Sequence, residues 1–328
     1  DTVEWAADQS WSNGSVGTFG ISYMAGTQWA IAGAEEELLP SLEAMAPGFS
    51  AASYYAQGAY TGGGALISHN IDYLNGLARE QLERERPNTA DEVTVLDRAQ
   101  EAMPQLYWDL PVTPFEPHQD VDVDLPWLRD WHTHETYGDY WKVRDATRNY
   151  DKIDVPVLNY GGWYDIFDQG TVWNFQGVRE EGTGPATDET TLVMGPYTHG
   201  NIARGQGQVM GYAYQFPSNV TYNEQELLLN WFSRHLKDGG TDAESRARLY
   251  VPGLDEWVGL DAFPPEAASV TSYYLHSDGS ANASSIDDEN LDYDGRLSTD
   301  EPTGSEPARC STGRPRRGSR RSECGRHT

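Results

Sequence analysis

The chain has 328 residues and a formal net charge of −28, from 51 acidic residues against 23 basic ones, of which only Lys142, Lys152 and Lys237 are lysine. That charge repels phosphate backbones and excludes nucleic acid as an expected partner, and no apolar stretch approaches the ~20 residues of a membrane-spanning helix. An acidic, lysine-poor surface is typical of proteins from hypersaline cytoplasm, where a Debye length of ~3 Å at molar salt screens the self-repulsion; a halophilic, cytoplasmic protein of roughly two or three structural units is expected.

In chain order, the first feature is Val16-Gly17-Thr18-Phe19-Gly20-Ile21-Ser22-Tyr23, a short apolar run of strand type that enters a tight turn at Gly20 and presents Ser22. The pattern predicts a helix from Thr27 to Leu39, closed by Pro40, and then a strand and loop over Pro47 to Tyr60. Ile71, Leu74, Leu77, Ala78 and Leu82 recur at helical spacing, with Pro87 as the stop. A second helix fits Ala90 to Met103, stopped by Pro104, and the aromatic-rich stretch from Trp127 to Tyr150 leads to a strand at Val155. That strand runs into Gly161-Gly162-Trp163-Tyr164-Asp165, so a carboxylate stands just past its end. Thr191 to Gly195 repeats the arrangement, with His199 in the turn beyond it. Glu224 to Lys237 is a strongly patterned helix, followed by strand-like runs at Leu249-Tyr250-Val251 and from Val270 to Leu275.

Three strand ends therefore carry a serine, an aspartate and a histidine, in the chain order Ser…Asp…His of α/β-hydrolases. Residues at the carboxyl ends of parallel strands converge on one crevice, so partners far apart in sequence can meet there. A serine hydroxyl is a weak nucleophile and needs a base within hydrogen-bond reach. His199 has the appropriate intrinsic basicity, and Asp165 would hold its tautomer and stabilise the imidazolium. The backbone N–H of Tyr23 would supply one oxyanion-hole donor. Each residue also has a plainer reading: Ser22 as a turn residue, Asp165 as a cap on the helix beginning near Asp168, and His199 as a loop histidine. Asp168 also competes for the acid role.

The residues around these strand ends extend the pattern. Trp11-Ser12-Asn13-Gly14-Ser15-Val16-Gly17, Gly20-Ile21-Ser22-Tyr23-Met24, Gly161-Gly162-Trp163-Tyr164-Asp165 and Gly195-Pro196-Tyr197-Thr198-His199 resemble the X-Pro dipeptidyl-peptidase (S15) and cocaine-esterase families of serine hydrolases. One position departs: Ala25 stands where those families usually have glycine. The resemblance implies an α/β-hydrolase fold with a mostly parallel sheet, a helical cap insertion, and the start of a C-terminal β jelly-roll. It divides the chain into a nucleophile-bearing core segment over 1–50, a helical cap over 51–150, a core segment with the acid and base over 151–238, and the beginning of a β-sandwich over 239–305. It favours Asp165 over Asp168 as the acid, places Tyr23 and Phe167 against the substrate, and implies acyl transfer on a small ester, amide or X-Pro peptide without metal or organic cofactor. Thr2 to Gln9 resembles the helix before the nucleophile strand, so the upstream strands, and a second oxyanion donor, are expected to be missing from this chain. An inactive remnant of such an enzyme and a non-catalytic, aromatic-lined binding module are the rival expectations.

Other features carry less. His132-Thr133-His134-Glu135 has no known metal-ligand spacing, and Asn13, Asn219 and Asn282 head glycosylation sequons that matter only on export. From Arg309 the chain reverses its charge, with seven arginines against Glu323, and holds both cysteines, Cys310 and Cys324, without the paired spacing of zinc ligands. The segment 306–328 reads as a basic, low-complexity tail: an interaction arm, a solvated, disordered tail or, as the expectation preferred here, out-of-frame sequence after a frameshift in a GC-rich gene near Ser305. Resequencing the locus tests this: an intact frame ending at Thr328 would exclude it.

Overall fold

A computed structural model describes residues 2–32, 39–112, 114–199, 223–237 and 245–269, together with the backbone of a few two-residue strands elsewhere. The chain divides into two compact units, Asp1–Pro265 and Glu266–Thr328. Beyond residue 269, the described backbone of the second unit consists of two antiparallel pairings, Tyr274–Leu275 with Leu297–Ser298 and Ser311–Thr312 with Ser322–Glu323. The sequons at Asn219 and Asn282, most of the run from Val270 to Leu275 and both cysteines lie outside the described residues.

The first unit opens with helix α1 (Thr2–Ala7), strand β1 (Val16–Ile21), helix α2 (Tyr23–Ala32) and strand β2 (Leu42–Gly48). A mostly helical insertion follows: a π-helical turn (Tyr55–Ala59), the small hairpin β3 (Tyr60–Thr61) and β4 (Gly64–Ala65), and helices α3 (Ile67–Glu85), α4 (Ala90–Leu106), α5 (Glu116–Asp120), α6 (Pro126–Thr133) and α7 (Asp139–Lys142). The chain then returns through β5 (Leu158–Gly162), α8 (Asp168–Glu181), α9 (Pro185–Glu189) and β6 (Thr191–Gly195). Beyond the short pair β7 (Gln208–Val209) and β8 (Tyr212–Ala213) come α10 (Glu224–Leu236), β9 (Ala247–Val251) and β10 (Glu256–Leu260).

One six-stranded sheet, ordered β1-β2-β5-β6-β9-β10, organises these elements. Every pairing from β1 to β9 is parallel and only β10 runs antiparallel, as a hairpin with β9. Alternation along the strands sorts side chains to two faces. Met45 and Val157 join Trp29, Tyr150 and Val178 on one face, whereas Ala44, Ala46, Leu158, Tyr160 and Val193 join Trp231 on the other. Helices therefore cover both faces. Close approach of α10 to β1 uses Gly17, where a Cβ would lie 2.4 Å from Phe232 Cε1. The insertion has its own core, built on Ile71, Leu74, Leu82, Leu96, Met103, Trp131 and Trp141.

Three sequence expectations require correction. The strand expected from Pro47 lies earlier, over Leu42–Gly48. Pro47 is tolerated near its end because the ladder to β5 is confined to Gly48 opposite Tyr160 and one bridge between Met45 and Val157. Pro104 does not stop α4, which continues to Leu106. Met103 is buried beneath that last turn, and the Tyr107 hydroxyl donates to Asp72 over 2.7 Å, so anchors on both sides outweigh the lost N–H. Leu249-Tyr250-Val251 does not open a separate β-sandwich. The strand that contains it, β9, pairs in parallel with β6, with Ala247, Arg248 and Leu249 opposite Leu192, Val193 and Met194, and Ala247 and Leu249 pack with Phe175 in the main core. Two parallel neighbours need a crossover connection, and α10 is the helix of the one that joins β6 to β9.

Leu74 is fully buried in the core of the insertion. Leu74→Ala is expected to lower unfolding free energy by about 2–5 kcal/mol, measured by denaturant titration followed by circular dichroism.

Candidate active site

The turn at the end of β1 forces Ser22 to φ 58° and Gly20 to φ 145°, both in the region that L side chains rarely adopt. A Cβ on Gly20 would sit 2.6 Å from Met24 Cβ, so glycine is required there for spatial reasons as well. The Ser22 N–H donates to Gly48 O at 2.9 Å, and the Gly26 N–H returns to Ser22 O at 3.0 Å as α2 begins. Buried Gln28 braces the turn from within. Its amide nitrogen donates to Gly20 O and Met24 O, while its Oε1 accepts from the Thr18 hydroxyl and the Ala46 N–H.

His199 stands in the turn after β6 and bridges the other two strand ends. Its Nε2 lies 2.8 Å from Ser22 Oγ and its Nδ1 lies 2.6 Å from Asp165 Oδ1. A carboxylate only accepts, so Nδ1 carries the proton and Nε2 is left to accept from the serine hydroxyl. The Asp165 side chain is fully buried, while that of His199 keeps 35% exposure. Asp165 Oδ2 is also buried and has no hydrogen-bond donor among the described residues.

The same geometry bears on the plainer readings of these residues. Phe167 occupies the cap position of α8, without a side-chain cap, so Asp165 does not serve that helix. Asp168 turns back on its own helix, where Oδ1 accepts from the Gln169 N–H at 2.6 Å, and burial pushes its carboxyl above the usual range. Tyr23 is the first residue of α2, where an N–H has no intrahelical acceptor, and its side chain is 74% exposed. Phe167 is buried and meets the His199 ring edge-on, with centroids 5.5 Å apart.

Four neighbouring residues were not visible as site residues in the sequence. Phe49, at φ 51° just past β2, presents its ring edge to His199 at 6.1 Å. Tyr54, His69 and Tyr73 come from the insertion. Tyr54 lies 6.5 Å from Phe167, and His69 meets Phe167 edge-on at 6.0 Å while stacking on Tyr73 at 5.9 Å. Burial raises the Tyr54 and Tyr73 hydroxyls above their usual range, with Tyr23 adding to the effect on Tyr73. No local signal marked them: Phe49 fell within the strand expected from Pro47, and a single histidine or tyrosine in a helical segment gives none. Among the described residues, no group of three or more His, Cys, Asp and Glu side chains is placed to hold a metal ion. His132 is partly buried on α6, and His134 Nδ1 is held 2.7 Å from Asp130 O.

The family model described as X-Pro dipeptidyl-peptidase (S15 family) matches residues 1–201, well over half of the chain. The chain belongs to this family. Among curated proteins, the cocaine esterase of Rhodococcus sp. (strain MB1 Bresler) is 29% identical over 293 residues, which cover 87% of this chain and 48% of the esterase. A putative serine esterase of Mycobacterium bovis is 25% identical, covering 85% of this chain and 46% of its own length. This S15-family chain thus spans about half the length of the curated relatives it matches. Among solved structures, an α-amino acid ester hydrolase aligns with a TM-score of 0.61 at 20% identity, covering 94% of this chain and 47% of that one. An aminopeptidase from a marine sediment Thaumarchaeota archaeon aligns with a TM-score of 0.59 at 19% identity, covering 85% and 44%. These two likenesses establish the α/β-hydrolase-like fold. No helix among the described residues is long and apolar enough to cross a membrane.

Gly20 combines a left-handed backbone with a blocked Cβ position. Gly20→Ala is expected to destabilise the protein by more than about 1 kcal/mol, read from the denaturant midpoint at unchanged slope.

Proposed function

We propose that this S15-family chain is a serine hydrolase that cleaves ester or amide bonds through an acyl-enzyme, with Ser22 as nucleophile, His199 as general base and Asp165 as the orienting acid. The observation that carries this reading is the pair of hydrogen bonds linking Ser22 Oγ, His199 and Asp165 Oδ1 at 2.8 and 2.6 Å. Ser22 Oγ attacks the scissile carbonyl as His199 Nε2 takes its proton, and the imidazolium is stabilised by the buried carboxylate. The Tyr23 N–H, at the positive end of α2, faces the developing oxyanion. His199 then returns the proton to the leaving alcohol or amine. Water enters by the same route in reverse, with His199 as its base, and releases the acid.

The helical insertion acts as the cap over the crevice, and Phe167 and Tyr23 line the acyl side. A small ester, an amide or an X-Pro dipeptide fits the class of reaction. The family match favours the peptide and the cocaine-esterase likeness favours the ester.

A fluorophosphonate probe applied to the purified protein in molar salt, with peptide mapping, tests the assignment. Labelling is expected at Ser22 and is expected to vanish in Ser22→Ala; a label elsewhere, or none on folded protein, would overturn it. Asp165→Asn is expected to lower ester turnover by roughly 10⁴-fold, because the amide holds the wrong imidazole tautomer.

A further inference from the structure

His69 is the third residue of α3 and the only histidine of the insertion in ring contact with the wall of the active site among the described residues. Its ring meets Phe167 edge-on at 6.0 Å, and Phe167 in turn meets His199 at 5.5 Å. On its other side it stacks on Tyr73 with 12° between the planes. The two imidazoles thus flank one phenyl ring. His69 Nε2 is buried and has no hydrogen-bond partner among the described residues.

Buried polar atoms are usually paired; His118, His132 and His235 also leave Nε2 without a partner among the described residues, but His69 is the one whose ring lies against Phe167 beside His199. The next residue, Asn70, donates its amide to Ala59 O at 3.2 Å and leaves its own Oδ1 without a partner among the described residues. We propose that His69 is a specificity-determining residue, a neutral imidazole whose Nε2 hydrogen-bonds a polar substituent of the acyl group beside the scissile carbonyl. This inference rests on the catalytic reading of Ser22 above.

Two effects keep the imidazole neutral. Burial pulls its pKa below the usual histidine range, and the neighbouring His199 lowers it further, while Asp72 and Asp165 oppose them more weakly. Neutrality suits the chemistry, because His199 becomes a cation during acyl transfer and a second cation beside it would raise the barrier. A neutral imidazole nitrogen pairs with a hydroxyl or an amide or amine N–H. A hydrocarbon leaves it unpaired, so a site built this way discriminates against the apolar isostere.

The test uses 4-nitrophenyl esters of 2-hydroxypropanoate and 3-hydroxybutanoate, each against the analogue with methyl in place of hydroxyl. Wild-type enzyme is expected to favour at least one hydroxy ester over its methyl isostere by about 10- to 100-fold in kcat/KM. His69→Leu is expected to bring that ratio close to one. His69→Gln, whose amide reaches toward the position of Nε2, is expected to restore part of it. Because the readout is a ratio within each protein, a general loss of activity or stability drops out. A ratio unchanged in His69→Leu, or a wild-type enzyme without preference at either position, would overturn the proposal. If wild-type protein cleaves none of the esters and the fluorophosphonate does not label Ser22, the catalytic reading falls and this inference falls with it.

Discussion

The left-handed backbone of Ser22 is the constraint on which the rest of the site depends. A non-glycine residue at φ 58° is held there only if its surroundings over-determine it. Here they do so from three directions. The Gly48 carbonyl takes the Ser22 N–H from the neighbouring strand, Gly20 leaves room for Met24, and Gln28 fixes the turn from below. The parallel register of β1 against β2, with Gly20 opposite Pro47 and Ile21 opposite Gly48, brings that carbonyl into place. Sheet pairing, rather than the turn alone, therefore sets where the serine oxygen points.

The same sheet sets the distances among the three residues. β5 and β6 pair in register from Leu158 opposite Thr191 to Gly162 opposite Gly195, so the loops carrying Asp165 and His199 leave from one level. Backbone contacts then knit those loops together, as Trp163 N donates to Gly195 O and Tyr164 N donates to Tyr197 O. Gly162 permits this, because a Cβ there would lie 2.1 Å from Tyr197 O. The cost of bringing together residues separated by 177 and 34 positions is carried by the sheet ladder.

Much of this was legible in the sequence because strand ends are marked by local chemistry. Ser22, Asp165 and His199 each follow a short apolar run and a glycine, and that pattern survives without knowledge of contacts. The parallel sheet with flanking helices was legible for the same reason. The insertion was legible as a helical cap, but not which of its residues face the site: whether His69 or Asn70 does so depends on how α3 docks, which periodicity leaves open. Pro104 misled because a propensity rule was applied where burial of Met103 and the Tyr107–Asp72 hydrogen bond prevail. The placement of β9 was missed because a strand late in the chain can pair with a distant neighbour, and no local signal distinguishes that from a new sheet.

Phe167 follows Asp165 by two residues, on the same short loop between β5 and α8. One segment therefore anchors the histidine and also shapes the space beside it. A change that reshapes the cavity from this side also shifts the carboxylate, so the loop has little freedom to vary. The residues facing it from the insertion, Tyr54, His69 and Tyr73, hang on a separate core and carry no such burden. Divergence in what the crevice accepts is then expected to accumulate on the insertion while the loop stays fixed, giving the two walls of one cavity different evolutionary tempos.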